Sequence, residues 1–244
     1  MRPIRALLLD AGNVLVADNN RLAVLQNIAT LVQAPVIPSR TQLLNYEVLG
    51  RITFDLKTPK GYYGQVDIGE IDSGCFYTRF LKLIEVEEYD LPPQRFWPLY
   101  CSGLQPIPGV PAILIELAEA GMPLVMVSNG DSRSRYVADL FSLRYGIRWA
   151  GVVISCGLGV RKPHPRFFQV AYEDARQRLE DLSPDNVMLI DDVQEYCDAF
   201  IRCWPNASAY CFNGTQQSSE DLRSHLHRLG LPIKALGEFL HAPL

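Results

Sequence analysis

Leu7-Leu8-Leu9-Asp10-Ala11-Gly12-Asn13-Val14-Leu15 is the stretch on which the reading of this chain turns. An apolar run covering residues 4–9 is cut off by a single acid, which is followed by small and polar residues. Four more short runs rich in Leu, Val and Ile cover residues 124–127, 151–155, 187–190 and 209–212. None alternates polar with apolar, which is the pattern of strands covered on both faces in a parallel sheet. Helical periodicity fills most of the gaps, over residues 110–120, 131–145, 165–182 and 194–202. The first of these has Pro111 near its start and Gly121 just past its end, the usual asymmetry of helix termini. Asp131 or Ser132 is the expected cap of the second. Strand alternating with helix predicts an α/β fold with a doubly wound parallel sheet.

One gap breaks this rhythm. Leu9 and Leu124 are separated by more than a hundred residues, whereas a βαβ unit needs about 30. The surplus contains helical stretches at residues 21–32, 39–49 and 75–83, and Pro92, Pro93, Pro98 and Pro106 mark the return. The expected organisation is an α/β core of residues 1–16 and 107–244, with residues 17–106 inserted as an α-helical cap.

At 244 residues, with 48% hydrophobic and 20% charged side chains, the chain can bury a full core and carry a second small domain. A net charge of -4 gives no support for nucleic-acid binding, which usually shows as a basic balance. No stretch approaches the roughly 20 apolar residues of a membrane span, and Asp10 ends the first apolar run too early for a signal peptide. The expected location is cytoplasmic, without membrane association. The six cysteines form no Cys-x-x-Cys pair and read as free thiols. Oligomeric state is not legible.

Ligands of open α/β sheets gather outside the carboxyl ends of the strands. The polar residues there are Asp10 after the first run, Ser128-Asn129 after the second, Lys162 a short loop after the third, and Asp191-Asp192 after the fourth. Acids, a hydroxyl, an amide and a cation in these places suit a phosphate group with Mg²⁺. That ion prefers oxygen ligands and is often bound through one or two carboxylates and the substrate phosphate. A carboxylate can also act as a nucleophile.

The order of these residues resembles the haloacid dehalogenase (HAD) superfamily. The stretch from Leu7 to Leu15 is similar to its motif I, and Val125-Met126-Val127-Ser128-Asn129-Gly130 to motif II. Gly159-Val160-Arg161-Lys162-Pro163-His164-Pro165 resembles motif III, and Met188-Leu189-Ile190-Asp191-Asp192 motif IV. The segment Pro106-Ile107-Pro108-Gly109-Val110 and the long insertion agree with a member carrying a C1-type helical cap. The resemblance implies a HAD-like Rossmannoid core with Asp10 as nucleophile, Ser128 and Lys162 as its catalytic partners, and Asn129 and Asn13 on the substrate. It implies Mg²⁺ held by Asp10, the Gly12 carbonyl, Asp191 and Asp192.

Two positions depart from the family pattern. Most HAD phosphatases carry a second, acid/base aspartate where this chain has Gly12; Asp18, Glu47 and Glu70 are possible substitutes. An Asn common after motif IV is replaced by Tyr196. His164 reads as a loop residue. The leading expectation is a Mg²⁺-dependent phosphatase of a small phosphorylated metabolite, a sugar phosphate or similar, acting through an aspartyl-phosphate. The alternatives are a catalytically silent HAD domain that binds a ligand or protein partner, and a 2-haloacid dehalogenase.

Overall fold

The computed structural model describes residues 3–17, 62–72, 103–131 and 134–235, together with the isolated positions 74, 78, 92, 94, 98 and 101. The expected helices at residues 21–32 and 39–49 lie outside the described residues, as does nearly all of that at 75–83 and most of the insertion.

Five parallel strands form the central sheet: β1 (Ala6–Asp10), β4 (Leu124–Ser128), β5 (Gly151–Ile154), β6 (Val187–Asp191) and β7 (Ser208–Cys211), in the order β5-β4-β1-β6-β7. The chain builds outward from β1 on one side through β4 and β5, then crosses to the other side for β6 and β7. This is a doubly wound sheet whose order reverses at β1. β1, β4 and β6 are fully buried along their length, as unalternating apolar strands should be. β5 and β7 are the edges and are half-buried, because each has a neighbour on one side alone.

Helices cover both faces. Odd positions of β1 (Leu7, Leu9) point into a cluster with α2 (Val110–Glu119), α3 (Arg135–Tyr145) and α6 (Ser219–Arg228). Even positions (Ala6, Leu8) point into a second cluster with α4 (Pro165–Arg176) and α5 (Gln194–Cys203). That division follows from the two-residue period of a strand. In the second cluster Phe168 meets Phe167 and Phe200 edge-on, at 6.1 and 5.4 Å between ring centroids.

Two short strands, β2 (Val16–Ala17) and β3 (Gln105–Pro106), pair antiparallel, with Val16 opposite Pro106. The chain therefore leaves the core and re-enters it at one place. A further helix, α1 (Tyr62–Asp67), returns to the core. Just beyond it, Gly69 (φ +76°) approaches so closely that an added Cβ would stand 2.6 Å from the Cys156 carbonyl. Among the described residues no helix is long and apolar enough to cross a membrane.

Several expectations need correcting. α3 starts at Arg135, with Ser134 rather than Asp131 or Ser132 in the capping place and without a side-chain cap. α4 stops at Arg176, short of residue 182. The first strand is shifted, to Ala6–Asp10, so the acid belongs to the strand itself. α6 was not foreseen, although Ser218 and Asp221 form a reciprocal capping box at its start. His164 is a loop residue, as expected, and serves as the N-cap of α4, its Nδ1 accepting from the Arg166 N–H at 3.1 Å. The five described cysteines are free thiols, as expected; Cys75 lies outside the described residues.

Candidate active site

Strand register assembles the site. Asp10 pairs with Val127, one residue before Ser128, and Leu9 pairs with Ile190, one residue before Asp191. The carboxyl ends of the three central strands thus deliver Asp10, Ser128 and Asp191 to one level beside the switch point.

Lys162 reaches them from the loop between β5 and α4. Its Nζ donates to Asp10 Oδ1 at 2.5 Å and to Asp191 Oδ2 at 2.6 Å. The lysine is 1% exposed and Asp191 0%, so these charges meet one another with little help from solvent. Burial alone lowers the Lys162 pKa, but the two carboxylates outweigh it and hold the ammonium above its ordinary value. For Asp10 burial dominates: it pushes the carboxyl up to about 7 against the opposing pull of Lys162, and neighbouring Asp191 and Asp192 add to the rise. Asp192 is also raised, burial again being the main cause. Three acids share one buried ammonium.

Local geometry explains the polar residues between the strands. Asn13 takes a left-handed conformation (φ 53°), which Asn tolerates better than most residues. Its N–H donates to the Val16 carbonyl at 2.7 Å, and its side chain donates to Asp192 Oδ2 at 2.9 Å. The second oxygen of Asp191, Oδ1, accepts the Val193 N–H at 3.0 Å at the start of α5. Both Asp191 oxygens therefore have protein donors, whereas Asp192 lines the open cleft beside Asp10 and Gly12.

Asn129 acts as a bracket on Lys162. Its Oδ1 accepts the Lys162 N–H at 2.7 Å and its Nδ2 donates to the Lys162 carbonyl at 3.0 Å. The same Nδ2 reaches the Tyr196 hydroxyl oxygen at 3.3 Å. Ser155 Oγ accepts the Gly130 N–H at 2.9 Å and donates to its carbonyl at 3.2 Å, fixing the turn after β4. The Ser128 hydroxyl, nearly buried, makes a long 3.5 Å bond to the Asn129 carbonyl and lines the cleft.

These groups form one end of a cleft of about 1170 Å³. The structure brings together Asp10, Gly12, Asn13, Ser128, Asn129, Lys162, Asp191 and Asp192, all anticipated from sequence. It adds residues that the sequence reading missed. Asp67 of α1 is buried in the cleft wall and pairs with Arg161 at 2.9 Å. Asp131 and Glu195 also line the cleft. No sequence signal marks Asp67, since its role depends on a long-range return of the chain. Of the suggested substitute acids, Asp18 and Glu47 lie outside the described residues, and Glu70 is exposed away from the described cleft lining.

The donor set fits a hard divalent cation. Carboxylate oxygens of Asp10, Asp191 and Asp192 lie within 4.8 Å of one another. Among the described residues one ammonium faces these three acids, which leaves the cluster short of positive charge, and an all-oxygen set is what Mg²⁺ prefers. The Gly12 carbonyl accepts from the Val14 N–H at 2.7 Å, which leaves its second lone pair for a ligand.

Solved structures with the same fold agree with this architecture. A HAD family enzyme from Bacteroides thetaiotaomicron, crystallised with magnesium and inorganic phosphate, is 18% identical, with 90% of this chain and all of that one covered at a TM-score of 0.58. A predicted HAD-like hydrolase from Porphyromonas gingivalis is 20% identical over 93% of this chain and 99% of its own, at 0.60. An L-2-haloacid dehalogenase from Xanthobacter autotrophicus is 15% identical over 84% and 76%, at 0.54. No curated protein sequence matches. The family model for haloacid dehalogenase-like hydrolases matches residues 4–199. With that match across most of its length, the chain belongs to the haloacid dehalogenase-like hydrolases.

Proposed function

We propose that the protein is a Mg²⁺-dependent phosphatase of a small phosphorylated metabolite, a sugar phosphate or similar, working through an aspartyl-phosphate on Asp10. The observation that carries this reading is the cluster of Asp10, Asp191 and Asp192 around the buried ammonium of Lys162. A simple acyl or alkyl transfer to Asp10 has no need of two further acids at its side, whereas a divalent cation does. The magnesium and phosphate in the Bacteroides enzyme support the same reading.

Asp10, Asp192 and the Gly12 carbonyl would hold a divalent cation, which would supply charge neutralisation for the phosphoryl oxygens. Asp191, with both oxygens engaged, orients Lys162 and the start of α5. Asp10 attacks phosphorus in line with the departing alkoxide, forming the aspartyl-phosphate, which water then hydrolyses to free the carboxylate and release phosphate. Lys162, the Ser128 hydroxyl and the Asn129 N–H face the equatorial oxygens, where charge develops. Asn13 keeps Asp192 turned toward the cleft and stands at the edge of the phosphate position. The alkoxide departs without an acid at position 12, which suits a leaving group that is already a weak base.

A 2-haloacid dehalogenase is the second reading, because Gly12 brings no acid and two structural neighbours are L-2-haloacid dehalogenases. A phosphate-ester panel run with and without Mg²⁺, beside a halide-release assay, separates the two. The phosphatase reading expects phosphate release that a chelator abolishes and that Asp10→Asn removes with the fold intact. Chelator-resistant halide release would establish the dehalogenase instead. Phosphate binding without turnover across the panel would indicate a silent binding domain.

A further inference from the structure

We propose that Tyr196 is a positioning residue that holds Asn129 and Lys162 as one unit at the anion-binding end of the cleft. The proposal rests on the phosphatase reading and assigns a role to a side chain which that reading leaves idle.

Tyr196 belongs to the first turn of α5, where its N–H donates to the Val193 carbonyl at 2.9 Å. The same turn is tied to Asp191 through the Val193 N–H. The tyrosine is thereby fixed to the strand end that carries the acids, while Lys162 comes from a loop about thirty residues earlier in the chain. Two contacts join them. The Lys162 Nζ lies 5.4 Å from the centre of the Tyr196 ring, within reach of an attraction between a cation and an aromatic face. The Tyr196 hydroxyl oxygen accepts the second N–H of Asn129, whose first goes to the Lys162 carbonyl.

Among the described residues Lys162 is the only side chain that bonds both Asp10 and Asp191, and it sits on a long flexible stem. Its backbone is clamped by the Asn129 amide at both N–H and carbonyl. An amide held by two bonds to one residue can still swing with that residue. The third bond, to Tyr196, anchors the amide to a different element. The ring beneath the ammonium limits its swing from the other side. Tyr196 is half-buried and lines the cleft, so it touches the same space as the anion without being core packing. Loss of this anchor should loosen the placement of Lys162 more than it destabilises the protein.

Three measurements on the full chain test this: turnover of an aryl phosphate, inhibition by inorganic phosphate with Mg²⁺ present, and denaturant unfolding. Tyr196→Phe keeps the ring face and loses the oxygen; Tyr196→Leu loses both. In Tyr196→Leu, kcat should fall about tenfold or more and inorganic phosphate should inhibit about tenfold more weakly, within the range of a partly desolvated cation–ring contact. KM should move less than kcat. Tyr196→Phe should recover to within roughly threefold of wild type, as loss of one neutral hydrogen bond allows. A Tyr196→Leu variant with wild-type kcat and phosphate inhibition overturns the proposal, as does a Tyr196→Phe no better than Tyr196→Leu.

A double-mutant cycle of Tyr196→Phe with Asn129→Ala in unfolding needs no activity. It should show non-additivity of about two- to tenfold in the unfolding equilibrium constant; an additive cycle overturns the anchoring contact. A wild type that neither hydrolyses phosphate esters nor is protected by phosphate overturns the phosphatase reading. The cycle alone then decides the contact, coupling supporting it and additivity overturning it.

Discussion

Gly12 is the residue on which the chemistry of this protein hinges. In the proposed mechanism it keeps the backbone carbonyl at the cation site and removes any side chain from the place where a leaving alkoxide would be protonated. Space is available there: a Cβ at Gly12 would meet Asp10 Oδ2 at 3.8 Å, an ordinary contact. Gly12→Asp should therefore be tolerated and should raise kcat on alkyl phosphates by up to about 10²-fold, the lower end of positioned general acid catalysis. Aryl phosphates, whose leaving groups need less help, should gain much less. Steady-state rates on one ester of each kind check this, and equal gains on both would refute it.

Asp10 itself carries a pH signature. Its folded pKa, pushed by burial from an ordinary 3.8 to about 7, means that the folded protein retains a proton the unfolded chain has released. That contribution to stability is complete below about pH 4 and is lost as pH rises through about 7. In metal-free protein, Asp10→Asn should flatten the decline between those limits. Mg²⁺ should also counter it, because it binds the ionised form. Denaturation midpoints at pH 5 and 7.5, with and without Mg²⁺, read both effects; a pH response identical in wild type and Asp10→Asn would contradict the buried-acid picture.

At this scale the sequence was informative wherever a residue ends a strand. Asp10, Ser128 and Asp191 were legible because strand termini in an α/β sheet converge, and Lys162 because Arg161 and Pro163 framed it in a familiar order. The division of labour between Asp191 and Asp192 was not legible. It depends on which oxygens the Val193 N–H, Lys162 and Asn13 take up, a matter of hydrogen-bond geometry.

Among the elements, the buried strands were readable and the helix ends less so. β1, β4 and β6 announce themselves through runs without alternation, since both faces are covered. α3 was expected too early because Asp131 has the chemistry of a cap, yet Asp131 turns to the cleft wall and the helix begins after it. α6 escaped notice because it buries only a narrow stripe, chiefly Leu222 and Leu226. Its capping box was visible in Ser218 and Asp221, and Ser218→Ala should lower stability by about 1 kcal/mol in denaturant unfolding. No change would mean that the helix is held by packing alone. The aromatic contact between α4 and α5 is worth more. Phe168 is fully buried between Phe167 and Phe200, so Phe168→Ala should cost about 3–5 kcal/mol. A loss under 1 kcal/mol would show that the two helices repack freely.

For the molecule as a whole, the question is how the inserted segment addresses the core. The long gap between the first two runs led to the expectation of an insertion, but its contacts could not be read, because they join residues distant in sequence. Two are visible. Asp67 pairs with Arg161, the neighbour of Lys162, and Gly69 lies against the Cys156 backbone. At Gly69 both the positive φ and the lack of room oppose a side chain. Gly69→Ala should push α1 off the core and lower kcat/KM more than it lowers the midpoint of unfolding of the core; a fall in stability with unchanged kcat/KM would separate this contact from function.

The central claim, that Asp10 is phosphorylated during turnover, is tested most directly by acid-quenching the enzyme while it hydrolyses an aryl phosphate and mapping the adduct by peptide mass spectrometry. A phosphoryl group on the peptide bearing Asp10, present with Mg²⁺ and missing after chelation or in Asp10→Asn, is the predicted result. Rapid phosphate release with that peptide unmodified, or with the phosphoryl group on another residue, would contradict the account.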